Sequence, residues 1–233
     1  MIKRQYLYKN TTFTLYLKAI ALIILRKMTG FKVNFFFSQT GEDIILKFLL
    51  SEVPDKDIYY IDVGCNDPIR GSNTFLFYLN GGSGICIDGN IALIEKYKKI
   101  RPKDIALCNL ISDKEEEVTF YISHENTVST ANKKLMESRS QRWPIKEELI
   151  MGTSTLDDIL RDNLPLDQKI HLLSIDVEGF DFKVLKSIDL IRYQPKVIVI
   201  ELSEFNLNAK TLKTNEVNSY LEGYGYELKY FAM

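Results

Sequence analysis

The sequence is poor in the residues that build disulfide frameworks and zinc centres. Its three cysteines, Cys65, Cys86 and Cys108, are odd in number and lack a C-x-x-C spacing, and only His124 and His171 are histidine among 233 residues. Neither a disulfide scaffold nor a structural zinc site is indicated, and a reducing, cytoplasmic setting fits best. A long apolar run is missing as well. The most apolar stretch, Phe13 to Leu25, has thirteen residues and is interrupted by Lys18. At about 1.5 Å per residue it falls short of a hydrocarbon core of roughly 30 Å. Arg26-Lys27-Met28-Thr29-Gly30 follows it, where a secretory leader would place a small-x-small cleavage signal.

Acid is absent from Met1 to Gly41, which carries Lys3, Arg4, Lys9, Lys18, Arg26, Lys27 and Lys32 and hence a charge of +7. The rest of the chain has 23 basic and 31 acidic residues, so the overall net charge of -1 hides a basic arm and a body at -8. The expected division is an arm over residues 1–37 and one domain over 38–233. Two readings of the arm stay open. Its apolar face packs a helix on the body, or the helix lies peripherally in an anionic inner-membrane interface, with Lys and Arg at the headgroups. Nucleic acid is not an expected partner, because the arm lacks dense arginine and the body repels a polyanion.

What is present is ordinary globular material: 45% apolar and 26% charged residues. Short apolar runs alternate with helical patterns. Strands are expected at Ile58–Val63, Ile85–Ile87, Asp104–Ile111, Val118–Ile122, Ile170–Ile175, Lys196–Leu202 and Tyr224–Phe231. Helices are expected at Ser38–Leu50 (capped by Ser38 or Thr40), Ser72–Leu79, Ile91–Ile100, Leu156–Arg161, Phe180–Leu190 and Asn215–Leu221, and a polar loop with short helices at His124–Gly152. Such alternation implies a largely parallel sheet with helices on both faces, an α/β fold.

In an open parallel sheet ligands bind beyond the carboxyl ends of the strands. Four strand ends are polar: Asp62-Val63-Gly64-Cys65-Asn66-Asp67-Pro68, Asp88-Gly89-Asn90, Asp176-Val177-Glu178-Gly179 and Glu201-Leu202-Ser203-Glu204. Gly64 permits a sharp turn close to a ligand, and Asp88, at the next strand end, can accept both hydroxyls of a ribose. A phosphate-cradling G-x-G-x-x-G is absent, so the site suits a nucleoside without a pyrophosphate, such as S-adenosylmethionine, whose cationic groups match an acid-lined cleft.

The motifs Ser38-Gln39-x-Gly41-Glu42-Asp43, Ile61-Asp62-Val63-Gly64-Cys65-Asn66-Asp67-Pro68, Ser72-Asn73-Thr74, Ile87-Asp88, Thr155-Leu156-Asp157-Asp158 and Ser174-Ile175-Asp176-Val177-Glu178-Gly179 occur in this order. Together they resemble the FkbM family of S-adenosylmethionine-dependent methyltransferases. The resemblance implies a class I Rossmann-like fold with an antiparallel last strand, and O-methylation of hydroxyls on sugars of glycans or their precursors, or on related secondary metabolites. It also implies that Asp62, Gly64, Cys65 and Asn66 line the methionine side of the cofactor, that Asp88 holds the ribose, and that Gln39 and Glu42 close the pocket. Asn109, near the end of the third expected strand, completes the cofactor-side set. The departure from the family pattern is Asp67-Pro68, where many members carry a further glycine.

Methyl transfer to a hydroxyl needs alignment and removal of a proton. Asp176 and Glu178, two residues apart, face the same way if the strand continues through them, and either serves as base or holds a divalent cation that acidifies the hydroxyl. Capping of the following helix is the competing role for this pair. His124 is a further base candidate, in a loop that also holds Trp143; His171 is expected to be structural. A metal-dependent nucleotide-sugar glycosyltransferase, reading the acid pair as a metal site, and a non-catalytic cofactor-binding protein are the alternatives.

Overall fold

The computed structural model describes residues 36–125, 128–202 and 215–230, with Ala21, Ile24 and Met28 of the arm. After helix α1 (Glu42–Leu49), strand β1 (Tyr59–Val63) leads through α2 (Phe75–Leu79) to β2 (Ser83–Asp88), and α3 (Ile91–Ile100) to β3 (Ile105–Cys108). Strands β4 (Leu110–Ile111) and β5 (Glu117–Ser123), helix α4 (Lys133–Arg139) and strand β6 (Ile145–Ser154) form an insertion. Then α5 (Leu156–Asn163), β7 (Leu172–Ile175), α6 (Asp181–Lys186), α7 (Leu190–Tyr193), β8 (Val197–Ile200) and α8 (Glu216–Gly223) follow.

The main sheet has the order β3-β2-β1-β7-β8, and every pairing in it is parallel. Its central strands are continuous apolar runs because both faces are covered. Tyr59, Ile61 and Val63 point into one core with Ile87, Leu173, Leu156 and Val184. Ile58 and Tyr60 point into the other with Phe75, Cys86, Ile94 and Tyr97. Helices α1, α2 and α3 thus cover one face and α5, α6, α7 and α8 the other, as the alternation of elements implied. Val63 lies opposite both Ile87 and Ile175, and Ile175 opposite Ile200, so four strands end level with one another on one edge.

Local chemistry starts the helices where the motifs placed them. The Asn90 side chain accepts the Ala92 N–H at 3.0 Å and begins α3, and Thr155 accepts the Asp158 N–H at 3.1 Å and begins α5. At α1 the cap differs from the expectation. Gly41 occupies the N-cap with left-handed backbone, and Ser38 reaches the helix start from outside it, accepting the Gly41 and Asp43 N–H groups.

Four further expectations change. The run Asp104–Ile111 is two strands, because the chain switches sheets at Asn109: β3 pairs with β2, and β4 with β6. Within His124–Gly152, β6 forms a ten-residue antiparallel partner for β5 instead of continuing a loop. It stands largely in solvent, which is why its side chains read as polar. The helix Phe180–Leu190 is two helices: Ser187 accepts the Leu156 N–H and donates to the Val184 carbonyl, and Asp189 caps α7. The antiparallel closing strand expected at Tyr224–Phe231 is not formed among the described residues, where 226–230 run irregularly; Phe231 lies outside them. No described helix is long and apolar enough to cross a membrane.

Candidate active site

The level strand ends open into one cleft. Its walls include Gln39, Asp62, Gly64, Cys65, Asn66 and Asp88, with Asn109, Phe120, Asp176 and Glu178. The structure therefore brings the residues at the ends of β1 and β2 together with the acids after β7. The junction is Gly64. Its φ is +79°, and a Cβ there would lie 1.8 Å from the Asp176 carbonyl oxygen, so only glycine allows the two loops to touch.

On the β2 side, Asp88 accepts the Asn66 N–H on one carboxylate oxygen at 3.0 Å and the Asn90 N–H on the other at 2.7 Å. Enclosure by the cleft raises its pKa to about 6, the two amides only partly offsetting the loss of water. Asn66 adopts φ +48°, which asparagine tolerates better than most residues. The Asp67-Pro68 departure from the family pattern also finds its reason here. The Asp67 carboxylate accepts the Ile69 and Arg70 N–H groups at 3.0 Å each, turning the chain without a further glycine. Asn109 hydrogen-bonds Ser154 across the insertion and borders the same end, beside the apolar wall of Leu110, Ile111 and Phe120. Asp62 is buried and accepts the Thr74 hydroxyl at 2.6 Å; burial raises its pKa against that bond. Cys65 is buried, its thiol pushed well up by lost hydration, which makes it a wall and not a nucleophile.

Strand β7 ends at Ile175, so Asp176 and Glu178 do not share a strand face as expected. Glu178 instead takes φ +54° and Gly179 φ +96°. That turn still converges the carboxylates. One oxygen from each of Asp176, Glu178 and Glu201 lies within 4.8 Å of the others, an oxygen set fit for a hard divalent cation. Burial, together with Glu201 and Glu178 beside it, raises the Asp176 pKa well above the usual range, and burial raises that of Glu201 as well. Neither Asp176 nor Glu178 caps a helix. Asp181 holds the turn, accepting the Val177 and Gly179 N–H groups at 2.9 Å each.

Residues 62–228 match the methyltransferase FkbM domain. The chain belongs to the FkbM methyltransferase family. No curated protein and no solved structure matches it.

Around this cleft, the other candidate residues separate. Gln39 lines the cleft. Glu42 is not among its lining residues; partial burial opposes ionisation, but hydrogen bonds from Thr40 outweigh it and hold the carboxyl low. His124 is exposed, its backbone N–H bonded to the Pro144 carbonyl, and is not part of the cleft wall. Trp143 stacks with Arg142 rather than lining the cleft. His171 is structural as expected, its Nδ1 accepting the Tyr59 N–H at 3.0 Å.

Two important side chains escaped the sequence reading. Glu201 was visible as a polar strand end, and the Ile175–Ile200 register sets it beside Asp176. Arg139 left no signal, because its partner is 39 residues away. It pairs with Glu178 at 2.5 Å, both being about four-fifths buried, while the Thr130 hydroxyl donates to the Glu178 carbonyl at 2.7 Å. Glu178 thus ties the segment from Thr130 to Arg139 to the turn that follows β7. Replacing Arg139 by alanine should free this segment. Amide exchange across residues 128–139 is expected to quicken about tenfold or more while the β1 and β2 amides keep their protection; unchanged exchange at 128–139 would show that the pair holds nothing.

Proposed function

We propose that this chain is an S-adenosylmethionine-dependent O-methyltransferase acting on a hydroxyl of a sugar, in a surface glycan or its precursor. The observation that carries the reading is a single cleft with Asp88 at one end and the Asp176–Glu201 pair at the other, joined across Gly64. When bound, S-adenosylmethionine supplies an electrophilic methyl group on a cationic sulfur. The residues fit it: each Asp88 oxygen keeps acceptor capacity beyond its amide bond for the ribose hydroxyls, and Phe120, Leu110 and Ile111 offer an apolar wall for the base. Asp62, Gln39 and Asn73 border the methionine side, and the surrounding acids favour a cation.

Beyond Gly64, the Asp176 carboxylate, made more basic by its burial, takes the acceptor hydroxyl's proton. The three converging carboxylates favour a second account of the same step, in which Asp176, Glu178 and Glu201 would hold a divalent cation that would acidify the hydroxyl. Nucleotide-sugar glycosyl transfer loses its support with membership of a methyltransferase family.

Titration calorimetry with S-adenosylmethionine tests the cofactor end. Asp88→Asn should weaken binding by about tenfold or more, and wild-type affinity should decline as pH falls through about 6, because a protonated Asp88 can no longer accept both hydroxyls. No wild-type binding would refute the reading. Asp176→Asn, assayed with labelled cofactor and fractionated glycolipid extract, should lower kcat about 100-fold with cofactor affinity within threefold. A wild-type rate abolished by chelator and restored by magnesium or manganese selects the cation account; an unchanged rate selects the Asp176 carboxylate.

The arm extends the same reading to a lipid-linked acceptor at an anionic membrane surface. Ala21, Ile24 and Met28 are helical and three and four residues apart, so they share one face, and Ile24 and Met28 are 51% and 80% exposed, in a segment with seven bases and no acid. Full-length protein should float with phosphatidylglycerol vesicles, detach in high salt, and stay unbound to phosphatidylcholine. Changing Lys18, Arg26 and Lys27 to glutamine should lower the bound fraction severalfold. Equal partitioning to neutral and anionic vesicles would remove the arm's role.

A further inference from the structure

Behind the cofactor side of the cleft lies a guanidinium that the proposed chemistry does not touch. Arg101, at the end of α3, is 0% exposed. It sits among three rings, its guanidinium carbon 5.3 Å from the centroid of Tyr60, 5.1 Å from Tyr78 and 4.9 Å from Tyr97. The Nε group donates to Asp104 at 2.7 Å. Nη1 donates to the Pro68 carbonyl at 3.4 Å and the Ser72 hydroxyl at 3.3 Å; Nη2 donates to the Tyr60 hydroxyl at 2.9 Å and the Thr74 hydroxyl at 3.0 Å. All five N–H donors of the guanidinium therefore have an acceptor.

Three of those acceptors belong to the loop from Pro68 to Thr74, whose Arg70, Gly71, Ser72 and Asn73 line the cleft. The pattern reaches further. The Thr74 hydroxyl donates a hydrogen bond to Asp62 at 2.6 Å, and the Tyr97 hydroxyl donates to the Cys65 carbonyl at 2.8 Å. A fully buried charge tolerates few arrangements, since any shift of the loop that strips an acceptor leaves a donor without water or partner. Asp104 is the carboxylate in salt-bridge contact with the guanidinium, and the additional bonds run to neutral acceptors at both ends of the loop, where they serve geometry. Lysine, a point charge with three donors, cannot span Pro68, Ser72 and Thr74 as the planar fork does.

We propose that Arg101 is a positioning residue for the cofactor's methionine half, fixing the Pro68–Thr74 loop and, through Thr74, aiming the Asp62 carboxylate into the cleft. The inference rests on the reading of this cleft as the cofactor site. It is tested with full-length Arg101→Lys, Thr74→Val and Thr74→Ser, each first checked for a native melting transition, by measuring dissociation constants for S-adenosylmethionine and for adenosine, which lacks the methionine half. Arg101→Lys and Thr74→Val should each weaken S-adenosylmethionine tenfold or more yet leave adenosine within twofold, and Thr74→Ser, which restores the hydroxyl, should return S-adenosylmethionine to within threefold of wild type. A general packing role would weaken both ligands together, and that result, or unchanged S-adenosylmethionine binding in a folded variant, overturns the proposal. If Arg101→Lys fails to fold, Thr74→Val decides; if both fail, Ser72→Ala, the mildest truncation, decides by the same ratio. Wild-type protein that binds neither ligand refutes the cofactor reading and this inference with it, an outcome distinct from wild-type binding that the variants leave unchanged.

Discussion

Gly64 is the constraint on which the site depends. With a Cβ 1.8 Å from the Asp176 carbonyl, any other residue would push the end of β1 away from the loop that follows β7, and the cofactor side would part from the acid side. The parallel register makes this approach unavoidable, because β1 lies between β2 and β7 and all three strands end at the same level. The approach of Gly64 to the Asp176 carbonyl thus sets the end of β1 against the loop that carries Asp176 and Glu178. In the function proposed above, a methyl donor and an acceptor have to meet within bonding distance, and this contact would bring their two sites together.

The body of the fold was legible in the sequence wherever burial was two-sided. Tyr59–Val63 and Leu172–Ile175 are buried along their length and read as apolar runs ending at Asp62-Val63-Gly64 and at Asp176, so both their existence and their functional ends were visible. Elements whose reason lies in distant partners were not. Strand β6 presents Lys146, Glu147 and Glu148 to water and exists because β5 pairs with it, which no local pattern records. Asn109 sits in an apolar stretch that looked like one strand, and only the two separate pairings on either side show the switch of sheets that turns it toward the cleft.

The candidate site divides in the same way. Asp62, Gly64, Asn66 and Asp88 were legible because strand-end chemistry is local. Asp176 and Glu178 were found for a reason that the backbone overturns: they converge through a left-handed turn at Glu178, not through strand alternation. The separation of their roles, with Asp176 beside Glu201 and Glu178 tied to Arg139, depends on residues brought from the end of β8 and from α4, and no spacing within the motif encodes it. His124 fell out because exposure, rather than residue type, decides what a loop histidine faces.

The electrostatics of the cleft carry a cost that only a ligand relieves. Asp62, Asp88 and Asp176 all have raised pKa values, each chiefly because burial strips water from the carboxylate, so their ionised forms work against folding above the normal carboxylate range. Asp104 already answers Arg101, and Arg139 answers Glu178. The cationic ligand proposed for this cleft would gain from these acids, and its binding energy would be returned as stability of the native state. The stored strain lies at the strand ends, where it favours occupation of the site, while the uniformly apolar sheet beneath supplies the stability that tolerates it. The +7 arm stands apart from this balance: the family match begins at residue 62, and the arm's positive charge pairs with no acid in its own segment. The net charge of -1 thus conceals a segment at +7 and a remainder at -8.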